Sequence, residues 1–274
     1  MKIAVLSGKG GTGKTLVAVN LANVILKAGY VDCDVEEPNG RIYYPGESND
    51  SLVYKEIPKV NQETCIKCGK CSEFCRFNAL ALILDKIRVF EQLCHSCGGC
   101  KIICPVDAIY YEQKSIGSVS KSVYKDHEII SGKLNIGEET GVLVIEAALK
   151  EASMIPDDLI IDCPPGNGCS VMASIQEADY CILVAEPSIF GLHNLKMVYE
   201  LIKIFNIKSG IVINKSIGND LIKDFALSNN IEVLEEIPFD KELALLNSNG
   251  VIVSDFPRYN EMFMRISKKI LRDQ

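Results

Sequence analysis

The chain alternates short apolar runs with longer segments whose apolar residues recur at helical spacing. Residues 2–7 are an apolar run that ends at a glycine, which is typical of a buried parallel strand. Residues 14–27 follow with the spacing of a buried helix, and Gly29 is expected to end it. The pattern predicts further strands at 30–33, 158–161, 180–185, 210–213 and 232–235, and helices at 192–205, 221–228 and 260–272. Strands that alternate with helices predict an α/β fold, with a mostly parallel sheet and helices on both faces.

Residues 58–112 interrupt this alternation with an internal repeat. The segment 65–80 matches 94–109 at every cysteine, with an offset of 29 residues. Pro58 and the polar residues 59–63 are expected to form a linker into this segment, which is expected to end near Glu112. We therefore predict one domain in two parts, residues 1–57 and 113–274, with residues 58–112 inserted as a small second domain.

Composition and charge narrow the classes of function. The chain has 274 residues and a formal net charge of −7, which argues against a nucleic-acid partner. No apolar stretch reaches the roughly 18 residues of a membrane span. The first residues do not resemble a signal peptide, so a cytoplasmic location is expected. Eight of the twelve cysteines lie between Cys65 and Cys104, and in a reducing compartment they indicate metal ligation.

A phosphate-binding motif stands at the start of the chain. Residues 8–15 read GKGGTGKT, which matches G-x-x-x-x-G-K-[ST] between a strand and a helix. Backbone N–H groups of such a loop point at phosphate oxygens, and Lys14 is expected to reach the β- and γ-phosphates while Thr15 binds Mg²⁺. A glycine-rich turn without a ligand is the alternative. The predicted nucleotide-binding residues here are Gly8, Lys9, Gly10, Gly11, Thr12, Gly13, Lys14 and Thr15.

An acidic residue follows a later predicted strand. Asp162 ends an apolar run, as the carboxylate of a Walker B motif does, and is expected to hold Mg²⁺ together with Thr15. Pro165 and Gly166 then predict a switch-like turn near the γ-phosphate. A helix cap or a turn former is the alternative role for Asp162.

An additional lysine, Lys9, gives the phosphate loop the form of a deviant Walker A motif. With this motif order, the chain outside the insertion resembles the MinD/ParA/nitrogenase iron protein group of P-loop NTPases, which have a SIMIBI-type α/β fold. The resemblance implies Mg-ATP hydrolysis and an ATP-dependent homodimer in which Lys9 crosses the interface to the partner's phosphates. An ordinary exposed lysine is the alternative.

The resemblance assigns roles to four residues further along the chain. Asp32 and Asp34 match switch I, where Asp32 would lie near the phosphate loop and Asp34 would orient the attacking water. Asn214 matches an adenine-reading asparagine, and Pro238 matches its companion loop. The two aspartates can instead be turn formers at a strand end. The predicted catalytic residues are Lys9, Lys14, Asp34 and Asp162.

The repeated cysteine spacing is that of bacterial ferredoxins with two [4Fe–4S] clusters. Each block reads C-x₂-C-x₂-C-x₃-C, and in this pattern the fourth cysteine of a block ligates the other cluster. Zinc is the alternative, although zinc sites rarely place a third cysteine so close. Arg76 stands where the pattern has a proline. The predicted ligands are Cys65, Cys68, Cys71 and Cys104 at the cluster 1 site and Cys94, Cys97, Cys100 and Cys75 at the cluster 2 site.

The remaining cysteines lie in the predicted nucleotide domain. Cys33 and Cys181 are expected to pack as small apolar residues. Cys169 lies seven residues after Asp162, as does an interface cluster ligand of the nitrogenase iron protein. Residues 105–161 lack the second cysteine that such a cluster needs, so this role is not expected.

Three functions fit these motifs. The first is an ATPase in which nucleotide-dependent dimerisation controls electron transfer or cluster handling by a ferredoxin-like insertion, with an unidentified redox or client protein as partner. The second is an iron–sulfur carrier similar to Mrp-type ATPases, which hold a labile cluster on a C-x-x-C pair; the chain has none outside the insertion. The third is a partner-positioning ATPase similar to MinD and ParA, which would need a membrane or DNA surface to bind.

Overall fold

A computed structural model describes residues 1–272 of the chain. Most of the strands belong to one sheet. In chain order the strands are β1 (Lys2–Leu6), β2 (Gly29–Asp32), β3 (Asn49–Val60), β4 (Leu80–Ile83), β5 (Lys86–Val89), β6 (Ile109–Tyr124), β7 (His127–Leu134), β8 (Leu159–Asp162), β9 (Tyr180–Ala185), β10 (Lys208–Ser216) and β11 (Glu232–Pro238). The helices are α1 (Lys14–Val24), α2 (Lys70–Phe74), α3 (Gly99–Ile102), α4 (Val142–Ala152), α5 (Cys169–Ile175), α6 (Ile189–Phe205), α7 (Leu221–Ser228), α8 (Lys241–Ser248) and α9 (Pro257–Arg272).

The large sheet has nine strands in the order β11-β10-β9-β1-β8-β2-β7-β6-β3. The pairs from β11 to β7 are all parallel, and β6 runs antiparallel to both of its neighbours. Strands β4 and β5 form a separate antiparallel pair. The predicted α/β class with a mostly parallel sheet is confirmed.

Both faces of the large sheet are covered by helices. Along β1 the side chains of Ala4 and Leu6 enter a core that contains residues of α4 to α7, while Ile3 and Val5 enter a core with residues of α1, α8 and α9. This follows from the period of two along a strand, which sends successive side chains to opposite faces. Burial on both faces explains why the parallel strands read as continuous apolar runs.

Several predicted element bounds need correction. Helix α1 ends at Val24, and Gly29 begins β2 instead of ending the helix. Helix α6 begins three residues earlier than predicted because Ser188 caps it, with the Ser188 hydroxyl accepting the Gly191 N–H at 3.0 Å. Strand β10 extends beyond its predicted bounds in both directions. No helix of residues 1–272 is apolar over a length sufficient to cross a membrane.

The cysteine-rich segment is carried on two long antiparallel strands, β3 and β6. They pair from Asn49 with Lys121 to Val60 with Ile109, with one shift of register between Val53 and Tyr54. Pro58 lies inside β3, opposite Tyr111, so the predicted linker at 58–63 is wrong in its first half. A proline is tolerated there because β3 is an edge strand and needs no N–H on its outer side.

A third apolar core fills this segment. It contains Ile57, Leu80, Ile87 and Ile109 together with Cys71, Cys94 and Cys100. It is separate from the two cores on the faces of the large sheet. Strands β3 and β6 cross the predicted boundaries at 58 and 112, and the division into 1–57, 58–112 and 113–274 stays a prediction.

Candidate functional site

A cavity of about 790 Å³ opens at the carboxyl ends of β1, β2 and β8. Residues of the phosphate loop line it, including Gly10, Lys14 and Thr15. Opposite them lie Asp34 from the segment after β2 and Pro165 from the segment after β8. A crevice at the carboxyl ends of parallel strands is where α/β sheets usually bind ligands.

The loop between β1 and α1 needs its glycines. Gly11 and Gly13 have φ values of +76° and +94°, a left-handed conformation that side chains disfavour. A Cβ on Gly8 would lie 2.4 Å from the carbonyl oxygen of Asn194 on α6. The loop therefore has the backbone shape that turns N–H groups inward.

Lys14 is buried among carboxylates. Its ammonium lies 2.9 Å from Oδ1 of Asp162 and 3.7 Å from Oδ2 of Asp34, and only 6% of its side chain is exposed. Burial alone lowers the pKa of Lys14, but the carboxylates of Asp162 and Asp34 outweigh it and raise that pKa above its ordinary value. Lys14 is thus a fixed positive charge at the floor of the cavity.

Asp162 and Asp32 form a buried acidic pair beneath the cavity. Oδ2 of Asp162 accepts a hydrogen bond from the Tyr30 hydroxyl at 3.0 Å. Asp32 accepts the backbone N–H groups of Asp34 at 3.0 Å and Gly40 at 2.8 Å. Burial, and secondly the charge of Asp162, raise the pKa of Asp32. Asp32 therefore holds the backbone after β2 and does not line the cavity.

Asp34 is the more exposed of the two carboxylates near Lys14. Its side chain is 20% exposed and lines the cavity. Burial raises the pKa of Asp34 to about 6, against the opposing effect of Lys14. A carboxylate with this pKa, open to a cavity, can accept a proton near neutral pH.

Lys9 is paired within its own chain. Its ammonium lies 2.9 Å from Oε2 of Glu186, whose other oxygen lies 2.6 Å from the ammonium of Lys215. Lys215 also donates to the carbonyl oxygen of Gly11 at 2.8 Å. Lys9 is 37% exposed, so this arrangement leaves it at the surface beside the phosphate loop.

The predicted adenine residues lie away from the cavity. Asn214 is buried below the phosphate loop, where its amide donates to the carbonyl oxygen of Thr12 at 2.7 Å. Pro238 is exposed at the end of β11 and does not line the cavity. In this structure Asn214 is hydrogen-bonded to the phosphate loop. A contact of Asn214 or Pro238 with adenine stays a prediction.

The remaining predicted switch and loop residues frame the site. Gly166 has a φ of +97° and donates its N–H to the carbonyl oxygen of Ser7 at 2.9 Å, which joins the turn after β8 to the end of β1. The Thr12 hydroxyl is buried without a hydrogen-bond partner among residues 1–272. Gly8, Lys9, Thr12 and Gly166 do not line the cavity themselves.

The eight predicted cluster ligands fall around two separate cavities in the sets predicted from the sequence. Cys65, Cys68, Cys71 and Cys104 line the first, and Cys75, Cys94, Cys97 and Cys100 line the second. The cavities have volumes of about 20 Å³ and 200 Å³.

The two cysteine blocks repeat one backbone geometry at the 29-residue offset. Lys67 and Ser96 have φ values of 60° and 53°, and Gly69 and Gly98 have 76° and 77°. The N–H groups of Ala79 and Ala108 each donate to the sulfur four residues earlier, on Cys75 and Cys104, at 3.3 Å. Left-handed residues and N–H···S contacts fit loops that wrap around a thiolate-ligated group.

Ligand assignment is a prediction at both cysteine sites. No group of three or more His, Cys, Asp or Glu side chains in residues 1–272 is arranged to hold a metal ion. All twelve cysteines are free. A set of four thiolates is nevertheless the donor chemistry of iron–sulfur clusters.

Three of the other four cysteines are buried and one is exposed. Cys33, Cys163 and Cys181 are fully buried in the core, which confirms the packing role predicted for Cys33 and Cys181. Cys169 begins α5, is exposed and lines the 790 Å³ cavity beside the phosphate loop.

Sequence reasoning missed residues that the fold brings in from a distance. Tyr43 and Asn247 line the cavity, and the Tyr43 hydroxyl donates to Oδ1 of Asn247 at 2.7 Å. Burial raises the pKa of Tyr43 to about 12. Tyr30, which contacts Asp162, and Glu186, which pairs with Lys9, were also missed. None of these residues stands in a motif, so only the tertiary fold identifies them.

Comparison with known proteins adds a family match. The CobQ/CobB/MinD/ParA nucleotide binding domain matches residues 3–253. An uncharacterized protein of Methanocaldococcus jannaschii is 31% identical over 261 residues, which are 93% of this chain and 90% of the relative. The iron–sulfur cluster carrier protein of the same organism is 25% identical over 298 residues, covering 98% of this chain and 83% of the relative.

Solved structures share the fold. The cell division ATPase MinD of Pyrococcus furiosus is similar with a TM-score of 0.61 and 16% identity, over 100% of this chain and 99% of that one. The septum site-determining protein MinD of Pyrococcus horikoshii, complexed with Mg-ADP, has a TM-score of 0.58 and 16% identity, over 98% and 95% of the two chains.

Proposed function

Because the chain belongs to the CobQ/CobB/MinD/ParA nucleotide-binding family, we propose that it is a magnesium-dependent ATPase that carries two [4Fe–4S] clusters. Nucleotide-dependent dimerisation controls electron transfer or cluster handling by the inserted module, residues 58–112. A redox or client protein is the partner of that module. A chain with eight cluster-binding thiolates requires a reducing compartment, so its place is the cytoplasm.

One observation supports the iron–sulfur half of the proposal above the others. Each predicted set of four cysteines, drawn from both blocks of the repeat, lines its own cavity. An exchange of the fourth cysteine between blocks is the arrangement of two-cluster ferredoxins. Clusters bound at these sites would supply one-electron transfer. The chain's own contribution is to hold the thiolates and to shield them with apolar residues such as Ile87 and Ile109.

The nucleotide half of the proposal rests on the cavity around Lys14. In the structure Lys14 is paired with Asp162 and Asp34. A phosphate in the cavity competes for Lys14, which frees the Asp162 carboxylate to join Thr15 around Mg²⁺. Asp34 then orients the attacking water and accepts its proton. The Mg-ADP complex of a MinD with the same fold supports this choice of ligand.

Lys9 is the proposed link to the partner copy. In one chain it is neutralised by Glu186, which it shares with Lys215. A partner's phosphates in a face-to-face dimer offer Lys9 a stronger counter-charge than one shared carboxylate. Lys9 then acts in trans on the charge that develops during phosphoryl transfer.

A chain of contacts supports coupling between the nucleotide cavity and the cluster 2 site. Val35 lines the cavity, and its carbonyl oxygen accepts the Leu134 N–H at 2.8 Å. The loop after Leu134 carries Glu138, whose carboxylate lies 2.6 Å from the ammonium of Lys55 and 2.8 Å from that of Lys114. A change beside Asp34 can therefore be transmitted through contiguous groups to Lys55 on β3 and Lys114 on β6.

The same network continues to the cluster 2 loop. Lys114 also lies 3.9 Å from Glu91, which is 2.7 Å from Lys59. Glu91 precedes Cys94, a proposed ligand, by three residues. Motion of the loop that holds Glu138 would thus alter the charges and the packing beside one cluster.

Electron paramagnetic resonance of the reduced protein tests the proposal. Anaerobically purified chain is reduced with dithionite and recorded with and without MgATP, and the Lys14→Ala variant is treated in the same way. We expect two reduced [4Fe–4S] signals whose shape or potential responds to MgATP in the natural chain only. Cluster signals that ignore MgATP in both proteins would contradict the coupling.

A second candidate function is delivery of clusters to other proteins. The iron–sulfur cluster carrier protein of Methanocaldococcus jannaschii is a full-length relative, and Cys169 is exposed beside the nucleotide cavity. Incubation of the iron-loaded chain with an apo-ferredoxin separates the two functions. Transfer of iron to the acceptor within minutes favours the carrier, and retention of iron favours the electron-transfer role.

A further inference from the structure

The two cluster sites are related by the 29-residue repeat but differ at several side chains, and one of these differences places a hydroxyl beside a predicted ligand. Tyr111 lines the cluster 2 site, and the residue 29 positions earlier is Leu82. Both lie beside the glycine that precedes the short helix of their block. Leu82 Cδ2 lies 3.8 Å from where a Cβ on Gly69 would be, and the Tyr111 hydroxyl donates to the carbonyl oxygen of Gly98 at 3.0 Å. Tyr111 therefore brings a hydroxyl to the wall of the cluster 2 site, whereas its counterpart Leu82 carries only methyl groups and does not line the cluster 1 site.

The Tyr111 hydroxyl also reaches a predicted ligand. It lies 3.5 Å from the sulfur of Cys100. A cysteine bound to iron is a thiolate without a proton, so it can only accept a hydrogen bond, and the phenol is then the donor. The proton of Tyr111 thus faces two acceptors, the Gly98 carbonyl and the Cys100 sulfur. Leu82 has no proton to donate at the cluster 1 site.

Resting on the function proposed above, we infer that Tyr111 makes the two clusters unequal. Its hydrogen bond to Cys100 gives the cluster held by Cys75, Cys94, Cys97 and Cys100 the higher reduction potential of the two. Reduction adds one negative charge, which a cluster shares with its thiolates, and a donor to one of them stabilises the reduced form. A single electron from a one-electron reductant therefore resides at the cluster 2 site.

The cluster 2 site is also the site nearer, along β3, to Lys55 and its ion pair with Glu138. The Ser96 hydroxyl in its wall donates to the carbonyl oxygen of Glu56 at 2.8 Å. The cluster 1 site instead contains Val60 and Ile109, the last pair of β3 and β6. Glu56 adjoins Lys55, which pairs with Glu138, whereas Val60 is the last residue of β3, so Tyr111 keeps the electron at the site nearer to the nucleotide domain.

Redox titrations of the full-length, iron-loaded chain test this role. Reduction potentials are measured by electron paramagnetic resonance during titration with dithionite, in the natural chain and in Tyr111→Phe. We expect Tyr111→Phe to lower the higher potential towards the lower one. The reciprocal variant Leu82→Tyr, at a side chain that is 41% exposed, is expected to raise the lower potential. Tyr110→Phe is the matched control, since Tyr110 is 49% exposed and lines neither site, and both potentials should stay unchanged.

Iron content measured on the same samples separates this inference from the proposed function. If Tyr111→Phe holds about eight irons per chain and keeps both natural potentials, the assignment to Tyr111 is wrong while the proposed function stands. If the natural chain itself binds no iron and gives no cluster signal, the proposed function is contradicted and the role of Tyr111 falls with it.

Discussion

At the scale of single residues, the nucleotide cavity is defined by the charges around Lys14. Lys14 contacts Asp162 and Asp34, and the Tyr30 hydroxyl binds the far oxygen of Asp162. Two carboxylates share one ammonium, so the site is ready to accept a cation such as Mg²⁺ once a phosphate attracts Lys14 away. This exchange of partners is what we expect nucleotide binding to consist of.

Removal of Lys14 should therefore weaken nucleotide binding. Lys14→Ala deletes a charge-assisted hydrogen bond to phosphate worth about 1.5–3 kcal/mol, which corresponds to a loss of roughly 10- to 150-fold in affinity. Isothermal titration calorimetry with MgATP measures it. Lys203→Ala is the control, because Lys203 pairs only locally with Glu200 on α6 and both side chains are more than half exposed. Unchanged affinity in a folded Lys14→Ala protein would contradict the phosphate assignment.

Asp34 should give hydrolysis a dependence on pH. Burial raises the pKa of its carboxyl group to about 6, and only the ionised form can accept the proton of the attacking water. The rate should therefore fall as the pH decreases through about 6, and it should lose this dependence in Asp34→Asn together with about 100-fold or more of its magnitude. Steady-state rates between pH 5 and 8 decide this. A flat natural profile, or an Asp34→Asn variant as active as the natural chain, would rule out Asp34 as the base.

The sequence predicted individual charged residues better than their partners. Lys14, Thr15 and Asp162 stand in motifs, and the structure places Lys14 against Asp162 across 148 residues of chain. Asn214 and Pro238 were assigned by resemblance alone, and neither lines the cavity. Lys9 and Glu186 lie far apart in the chain, so only the tertiary fold identifies their pairing.

At the scale of elements, the antiparallel arm formed by β3, β6 and β7 departs most from the sequence prediction. Its strands mix polar and apolar residues without a regular period, so they lack the continuous apolar runs by which the buried strands were predicted. A hairpin turn at Lys125, with a φ of 53°, links β6 to β7. No regular alternation of polar and apolar residues runs through 115–134, so the sequence offers no strand period that identifies this hairpin.

The cysteine blocks were predictable because their chemistry is local. Three cysteines in seven residues and a fourth soon after leave few ways to arrange the backbone, and the structure repeats one geometry twice. What the spacing could not specify is how the blocks attach to the rest of the molecule. The paired strands β3 and β6 carry the blocks, and Glu138 joins these strands to the loop after β7 through buried Lys55 and half-buried Lys114.

Glu138 should thus be important for stability. Its side chain is 6% exposed, that of Lys55 is 3% exposed, and removal of one partner of a buried pair costs about 3 kcal/mol. We expect Glu138→Gln to lower the free energy of unfolding in urea by about that amount. Glu128→Gln is the control, because the pair of Glu128 with Lys121 is about one-third exposed and worth less than about 1 kcal/mol. Equal effects of the two variants would show that Glu138 does not anchor the arm.

At the scale of the whole molecule, the nucleotide domain and the cysteine-rich module are joined through strands at one edge of the sheet. Residues that line the nucleotide cavity contact β7 and the loop that holds Glu138, and that loop contacts the strands that carry the cysteine blocks. The family and the fold are shown by comparison. The two clusters within each chain and the dimer of two chains are proposals.

Lys9 should be required for the dimer. Lys9→Ala keeps the phosphate loop but removes the cation proposed to contact the partner's phosphates, so MgATP should no longer double the molar mass observed by light scattering. Lys268→Ala, at an exposed position on α9, should dimerise as the natural chain does. ATP-induced dimerisation that persists in Lys9→Ala would contradict the crossing role of Lys9.

The most direct test of the central claim is the metal content of the chain purified without oxygen. Inductively coupled plasma analysis with an assay of acid-labile sulfide gives iron, zinc and sulfide per chain. Two [4Fe–4S] clusters on the eight cysteines predict about eight irons and about eight sulfides. Zinc in place of iron, or cysteines joined as disulfides with no metal, would contradict the account.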